Sequence, residues 1–241
     1  MKLPKRISPC SIIDSVIELR FESLFPTDAI FGVVFSTVKN EYPKFQKLPV
    51  SEVPGIIRDQ DPNLKHAAYY QAVSLPFIFR LGPHVVSLSN NGEYVGWDKF
   101  FLKLKGLLEN LEKTGVVSKF TRLGLRYIDF FEKDIYENVN LSISDIQVDN
   151  KPLPFKQKVF RALVENDKFL TNIQIVNNTT IKIKGNAKTG SLIDSDTSFE
   201  LPAGFNFTGL HELIEGCHLR EKEIFFSLLK DEFIQTLNPE Y

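Results

Sequence analysis

Phe120-Thr121-Arg122-Leu123-Gly124-Leu125-Arg126-Tyr127-Ile128-Asp129-Phe130-Phe131 is the stretch on which the reading of the fold turns. Its apolar residues fall on both faces of an extended chain, the pattern of a central strand. Upstream, residues 12–21 alternate with a period of two. Val16, Glu18 and Arg20 share one face, and Ile17, Leu19 and Phe21 the other. Pro26-Thr27-Asp28 precedes a helix over 29–40 on which Ile30, Val33, Val34 and Val38 recur at helical spacing. Residues 69–80 and 85–89 read as two strands joined at Leu81-Gly82-Pro83-His84. A helix over 97–113 follows, with Phe100, Phe101, Leu104, Leu107, Leu108 and Leu111 inward and Gly115 as its C-cap.

The order up to Phe131 is therefore β-α-β-β-α-β, which predicts a ferredoxin-like lobe over residues 1–134. In that topology the first and last strands are antiparallel neighbours. Glu18 and Arg126 are then expected as a structural pair, since an unpaired charge in a central strand is costly. Residues 135–160 hold Asn138, Asn140, Asp145, Asp149, Asn150, Pro152 and Pro154 and read as a junction. Beyond it, residues 160–165, 170–176, 179–184 and 191–200 read as meandering strands, and one helix over 209–237 stops before Pro239. The expected class is α+β in two lobes, 1–134 and 135–241, the second an antiparallel meander packed by the long carboxy-terminal helix.

Composition bounds what such a protein does. The 241 residues are 43% apolar and 24% charged, the balance of an ordinary globular chain. Against 30 acidic residues stand 29 basic ones, so no overall field draws the chain to nucleic acid or anionic lipid. No apolar run approaches the roughly 20 residues that span a bilayer. The basic start, Met1 to Arg6, leads into Ser8-Pro9-Cys10-Ser11 where a signal peptide needs an apolar segment, so a cytoplasmic location is expected. Cys10 and Cys217 stand alone at opposite ends, which leaves neither a redox pair nor a thiolate zinc site. No cofactor and no metal is expected. The 21 phenylalanines belong to a core or an interface.

Candidate chemistry is sparse. Gly185 and Gly190 have the spacing of a phosphate loop, but Ser191-Leu192 stands where Lys-Ser/Thr is needed and a strand follows, so they read as a hairpin tip. Asp194 and Asp196 project from one face of a strand, as a cation site or an acid–base pair requires. His218 and Glu221 are one helical turn apart. Glu221 also falls in the middle of the apolar stripe Leu210, Ile214, Cys217, Ile224 and Leu228. Either the helix breaks near Gly216, the preferred reading, or Glu221 is buried with a partner such as His218, Arg126 or Arg122. Asp194, Asp196, His218 and Glu221 make the alternative catalytic set, for a hydrolase or nuclease, if they converge in one cleft. Nucleic-acid binding is a further alternative that is not favoured, because Lys99, Lys103, Lys105 and Lys113 are interspersed with Glu109 and Glu112 as on a solvated face.

The remaining feature is the proline-rich stretch over 42–62. It carries Phe45, Leu48, Val50, Val53, Ile56 and Ile57 beside Arg58 and Asp59. Long irregular segments commonly carry recognition. Exposed, these residues form a partner site with Phe45, Ile56, Ile57 and Arg58 as its contacts; turned inward, they are core. The reading is a non-enzymatic protein-binding or regulatory module with a protein partner.

Three segments resemble a sporadically distributed family of uncharacterised prokaryotic proteins of similar length. They are Ser8-Pro9 through Val16-Ile17-Glu18-Leu19-Arg20-Phe21, then Trp97-Asp98-Lys99-Phe100 leading to Leu123-Gly124-Leu125-Arg126-Tyr127-Ile128-Asp129, and His218 with Phe225-Phe226-Ser227-Leu228-Leu229-Lys230-Asp231-Glu232. The resemblance implies one unit rather than two shuffled domains, and it brings no catalytic residues. The patchy distribution implies mobile genetic elements, and with them a toxin–antitoxin, phage-defence or counter-defence setting.

Overall fold

The computed structural model describes residues 2–62, 64–141, 147–148, 151–152, 159–183 and 185–241. Asp145, Asp149, Asn150 and Pro154 of the expected junction, and Lys184 beside the glycine pair, lie outside the described residues.

In chain order the elements are β1 (Ile12–Glu22), α1 (Thr27–Val38), β2 (Phe45–Lys47), a 3-10 turn (Pro49–Glu52), α2 (Gly55–Gln60), β3 (Tyr70–Ser74), β4 (Phe77–Leu81), β5 (Val85–Asn90), α3 (Trp97–Lys113) and β6 (Lys119–Phe131). A second 3-10 turn (Tyr136–Asn138) and the short pair β7 (Gln147–Val148) and β8 (Lys151–Pro152) come next. The chain then forms β9 (Val159–Asn166), β10 (Phe169–Ile183), β11 (Asn186–Glu200), α4 (Leu210–Leu228) and α5 (Asp231–Thr236).

The strands build one nine-stranded antiparallel sheet in the order β2-β3-β4-β5-β1-β6-β11-β10-β9. This overturns the expected ferredoxin-like lobe with a separate meander. Two causes are visible. Residues 69–80 are not one strand, because Leu75-Pro76 turns the chain and β3 pairs back on β4 with Ser74 opposite Phe77. In addition, β6 is not an edge: β11 is its next neighbour, so the late strands extend the sheet that the early ones begin.

The chain groups into two compact units. The first holds Asp14–Leu125 with Ser198–Gly216; the second holds Met1–Ile13, Arg126–Thr197 and Cys217–Tyr241.

In the first unit, α3 buries the six residues its 3.6-residue periodicity selects, Phe100, Phe101, Leu104, Leu107, Leu108 and Leu111. Each contributes about 1.5–3 kcal/mol of apolar burial before entropy is counted. Alternate residues of β1, namely Ile17, Leu19 and Phe21, are buried in the same unit with Phe79 and Leu81 of β4. Phe31 of α1 stacks on Tyr70 at 3.8 Å between centroids, and Phe77 of β4 meets Phe100 of α3 at 6.1 Å. The helices thus cover one face of these strands.

In the second unit, Phe131, Ile173, Ile175 and Ile193 from the strands form a core with Ile224, Phe225, Phe226 and Leu228 of α4 and Phe233 and Ile234 of α5. Gly190 lies inside β11, not in a loop, and a Cβ there would run onto the carbonyl oxygen of Phe131. Close passage of two backbones is what this glycine serves, and a phosphate loop is excluded.

The carboxy-terminal segment is not one helix. α4 runs unbroken through Gly216, and the break comes at Leu229-Lys230. There Val139 bridges Leu229, and the Lys230 amide donates to the Asn138 carbonyl at 2.9 Å.

Candidate functional site

Three titratable side chains of the second unit, Asp129, His218 and Glu221, lie on the helix-covered side of its strands. Asp129 of β6 is 2% exposed and accepts a hydrogen bond from Ser11 Oγ at 2.5 Å. Burial pushes its carboxyl up to about 7, against the opposing pull of the Ser11 hydrogen bond. Glu221 of α4 is 4% exposed and accepts a hydrogen bond from Ser195 Oγ of β11. Its carboxyl is pushed up to about 8, first by burial and further by the charge of Asp129, while Ser195 and Lys222 act in the other direction. His218 Nδ1 stands 3.2 Å from Tyr127 Oη. Burial, reinforced by Lys222, lowers the imidazole to about 3, so it is neutral at physiological pH. Thr171 and Thr197 are buried and bond each other at 2.9 Å, and the Cys217 thiol donates to the Thr197 carbonyl at 3.5 Å.

Burial raises the proton affinity of both carboxyls, and each is met by one serine hydroxyl. Two carboxyls that feel each other in a dry interior do not both ionise readily, and hydroxyl donors satisfy them from neighbouring segments. Both are buried, at 2% and 4% exposure. Glu221 is therefore buried with a partner, and that partner is Ser195, a residue the sequence did not single out.

The other members of the expected catalytic set lie elsewhere. Asp194 and Asp196 alternate with Ser195 along β11 and so project from its opposite face. Arg126 grips Asp194 with a two-pronged bond, Nε to Oδ1 at 2.8 Å and Nη2 to Oδ2 at 2.7 Å. The sheet stands between these carboxylates and the His218–Glu221 pair, so the four do not share a cleft. Glu18, expected as the partner of Arg126, is engaged by Arg20 at 2.9 Å and Arg122 at 3.4 Å.

In the first unit the proline-rich stretch divides into anchored and exposed parts. Tyr42 is fully buried, 5.6 Å from the Phe79 ring. Phe45 of β2 is half-buried and sits 5.3 Å from Phe31, 5.2 Å from Phe35 and 5.8 Å from Phe79, ring to ring. Leu48, Val50 and Val53 are half-buried. α2 is held by Arg58, whose guanidinium lies 4.1 Å from the Tyr69 ring centre and whose Nη1 donates to the Ser51 carbonyl at 3.4 Å. Ile56 and Ile57 on the same short helix are 71% and 51% exposed. The side chain of Asp59 lies outside the described residues. Of the four expected contacts, then, Ile56 and Ile57 face solvent, Arg58 packs on Tyr69, and Phe45 is half-buried against three aromatic rings.

A polar row crosses the other face of the same strands. Register sets Gln46 opposite Gln71, Gln71 opposite Arg80, Arg80 opposite Ser87 and Ser87 opposite Glu18. Arg80 donates to Ser89 Oγ at 2.9 Å, and Arg122 adds Glu200 at 3.5 Å to its Glu18 contact. The turn at Leu75-Pro76 decides which neighbours Arg80 meets, and no periodicity over residues 69–80 marks that turn.

Among the described residues no three His, Cys, Asp or Glu side chains gather as a metal site would require. No helix there is long and apolar enough to cross a membrane. Comparison with protein-family models and with curated proteins finds no match to this chain.

Proposed function

We propose that the protein acts by binding a protein partner through α2, with Ile56 and Ile57 as the apolar contacts and Arg58 fixing the helix that presents them. One observation carries this reading. Two adjacent isoleucines are 71% and 51% exposed on a helix whose base is fastened to the core. Apolar side chains carried on a helix that is already anchored require less backbone ordering when a partner covers them, which favours binding. A regulatory rather than enzymatic role is supported by the burial of Asp129 and Glu221 and by the engagement of Asp194 with Arg126. The family resemblance adds a setting, a toxin–antitoxin, phage-defence or counter-defence system, in which a binding module controls a partner's activity.

The test is co-expression with the products of neighbouring genes, followed by hydrogen exchange on the purified complex. Slowed amide exchange over residues 48–62 in a stoichiometric complex is the expected outcome. A stable complex that leaves this segment exchanging as in the free protein rejects α2 as the contact surface.

A further inference from the structure

The strand order ends at β9, and among the described residues no strand lies beyond it. β9 pairs with β10 along its whole length, from Asn166 opposite Phe169 to Val159 opposite Val176. Its inward residues Phe160 and Val164 pack against the second unit's core. Its outward residues Val159, Arg161, Leu163 and Glu165 are all exposed, with Val159 at 63% and Leu163 at 64%. A long edge strand carrying exposed apolar residues and no proline is open to pairing with a further strand.

The pattern of those residues names the further strand. An antiparallel pair with a two-fold axis at Leu163 sets Leu163 against its own copy. Arg161 then falls opposite Glu165 of the second copy, and Glu165 opposite Arg161. Both charge pairs are attractive, and both arise from one strand meeting itself, as an isologous contact requires. We propose that two copies of this chain associate through their β9 edges in this register, joining the two sheets into one. Backbone hydrogen bonds supply the pairing, and Arg161, Leu163 and Glu165 fix the register.

The test is analytical ultracentrifugation of the full chain and three variants over a concentration series, with thermal melts as a folding check. The wild type is expected to dimerise reversibly. Arg161→Glu sets like charges opposite each other twice and weakens the dimer by about tenfold or more, since both pairs change sign. Adding Glu165→Arg reverses both partners and restores the wild-type constant. Leu163→Lys also weakens the dimer, and it does so without touching the bond from Arg161 Nε to Asn172 Oδ1 at 3.0 Å. A wild type that stays monomeric at about 100 µM overturns the proposal, because a constant weaker than that is little more than ~5 kcal/mol of association. A dimer indifferent to Leu163→Lys, or a double variant no tighter than Arg161→Glu alone, overturns it equally.

Discussion

Two regions of this molecule break the rule of apolar inside and polar outside, in opposite directions. On α2 the apolar Ile56 and Ile57 face water. In the second unit the carboxyls of Asp129 and Glu221 are shut away from it. The means of tolerating each differ. A buried carboxyl is made harmless locally, by keeping its proton and by the hydroxyls of Ser11 and Ser195. An exposed isoleucine has no such local remedy, and only another surface can cover it. The buried anomaly is stabilised within the framework, and the exposed one is the surface on which the proposed partner contact rests.

The largest expected effect lies with the buried pair. Each carboxyl holds its proton in the folded chain at pH values where the unfolded chain has released it. Unfolding thus releases protons, and stability falls as pH rises from the ordinary carboxyl range near 4 through the raised values of about 7 and about 8. His218 works in the opposite sense: stability falls as pH drops from the ordinary imidazole value towards about 3, because the unfolded chain takes up a proton that the folded one refuses. Denaturant unfolding should show greatest stability in the mildly acidic range and a loss of several kcal/mol, order of magnitude, by about pH 9. In Asp129→Asn/Glu221→Gln the alkaline loss should largely vanish. A double variant with the wild-type pH slope would mean that these carboxyls ionise freely in the folded state.

A smaller effect is expected from Ser195→Ala. Removing the donor to Glu221 leaves a buried acceptor unmade, at a cost of about 1–3 kcal/mol by chemical denaturation. Because the hydroxyl stabilises the ionised carboxyl, the cost should be larger at alkaline than at acidic pH. An equal cost at both would indicate that the serine contributes packing alone. Smaller still is Asp194→Asn. Its partner Arg126 is 46% exposed on the sheet's other face, and pairs of that kind are worth about 0–1 kcal/mol. A loss of several kcal/mol would show that this ion pair is structural after all.

How much of this was legible in the sequence follows from the range of each signal. The inner face of α3 was readable residue by residue, because six apolar side chains at helical spacing depend on nothing distant. The alternation of β1 was readable for the same reason. The joining of β6 to β11 was not, since strands some sixty residues apart choose each other through shared burial that no local pattern records. The turn at Leu75-Pro76 was hidden within apolar residues that continue on both sides. Glu221 was half legible: its place in an apolar stripe was plain, but Ser195, the residue that makes burial tolerable, lies on a strand 26 residues earlier. The helix was therefore expected to break at Gly216, whereas it breaks at Leu229-Lys230, where neither glycine nor proline gives warning. At α2 the composition marked the segment, yet only the rings around Phe45 decide which of its apolar residues are core.

The most direct measurement is made on Ile56→Ser/Ile57→Ser, with partner affinity by calorimetry and thermal melting recorded on the same preparation. If α2 is the binding surface, affinity falls by an order of magnitude or more while stability moves by no more than about 0.5 kcal/mol, as exposed substitutions do. Stability lowered by about 2–5 kcal/mol with affinity unchanged would show that the two isoleucines are core to the fold and that the partner, if bound, is bound elsewhere.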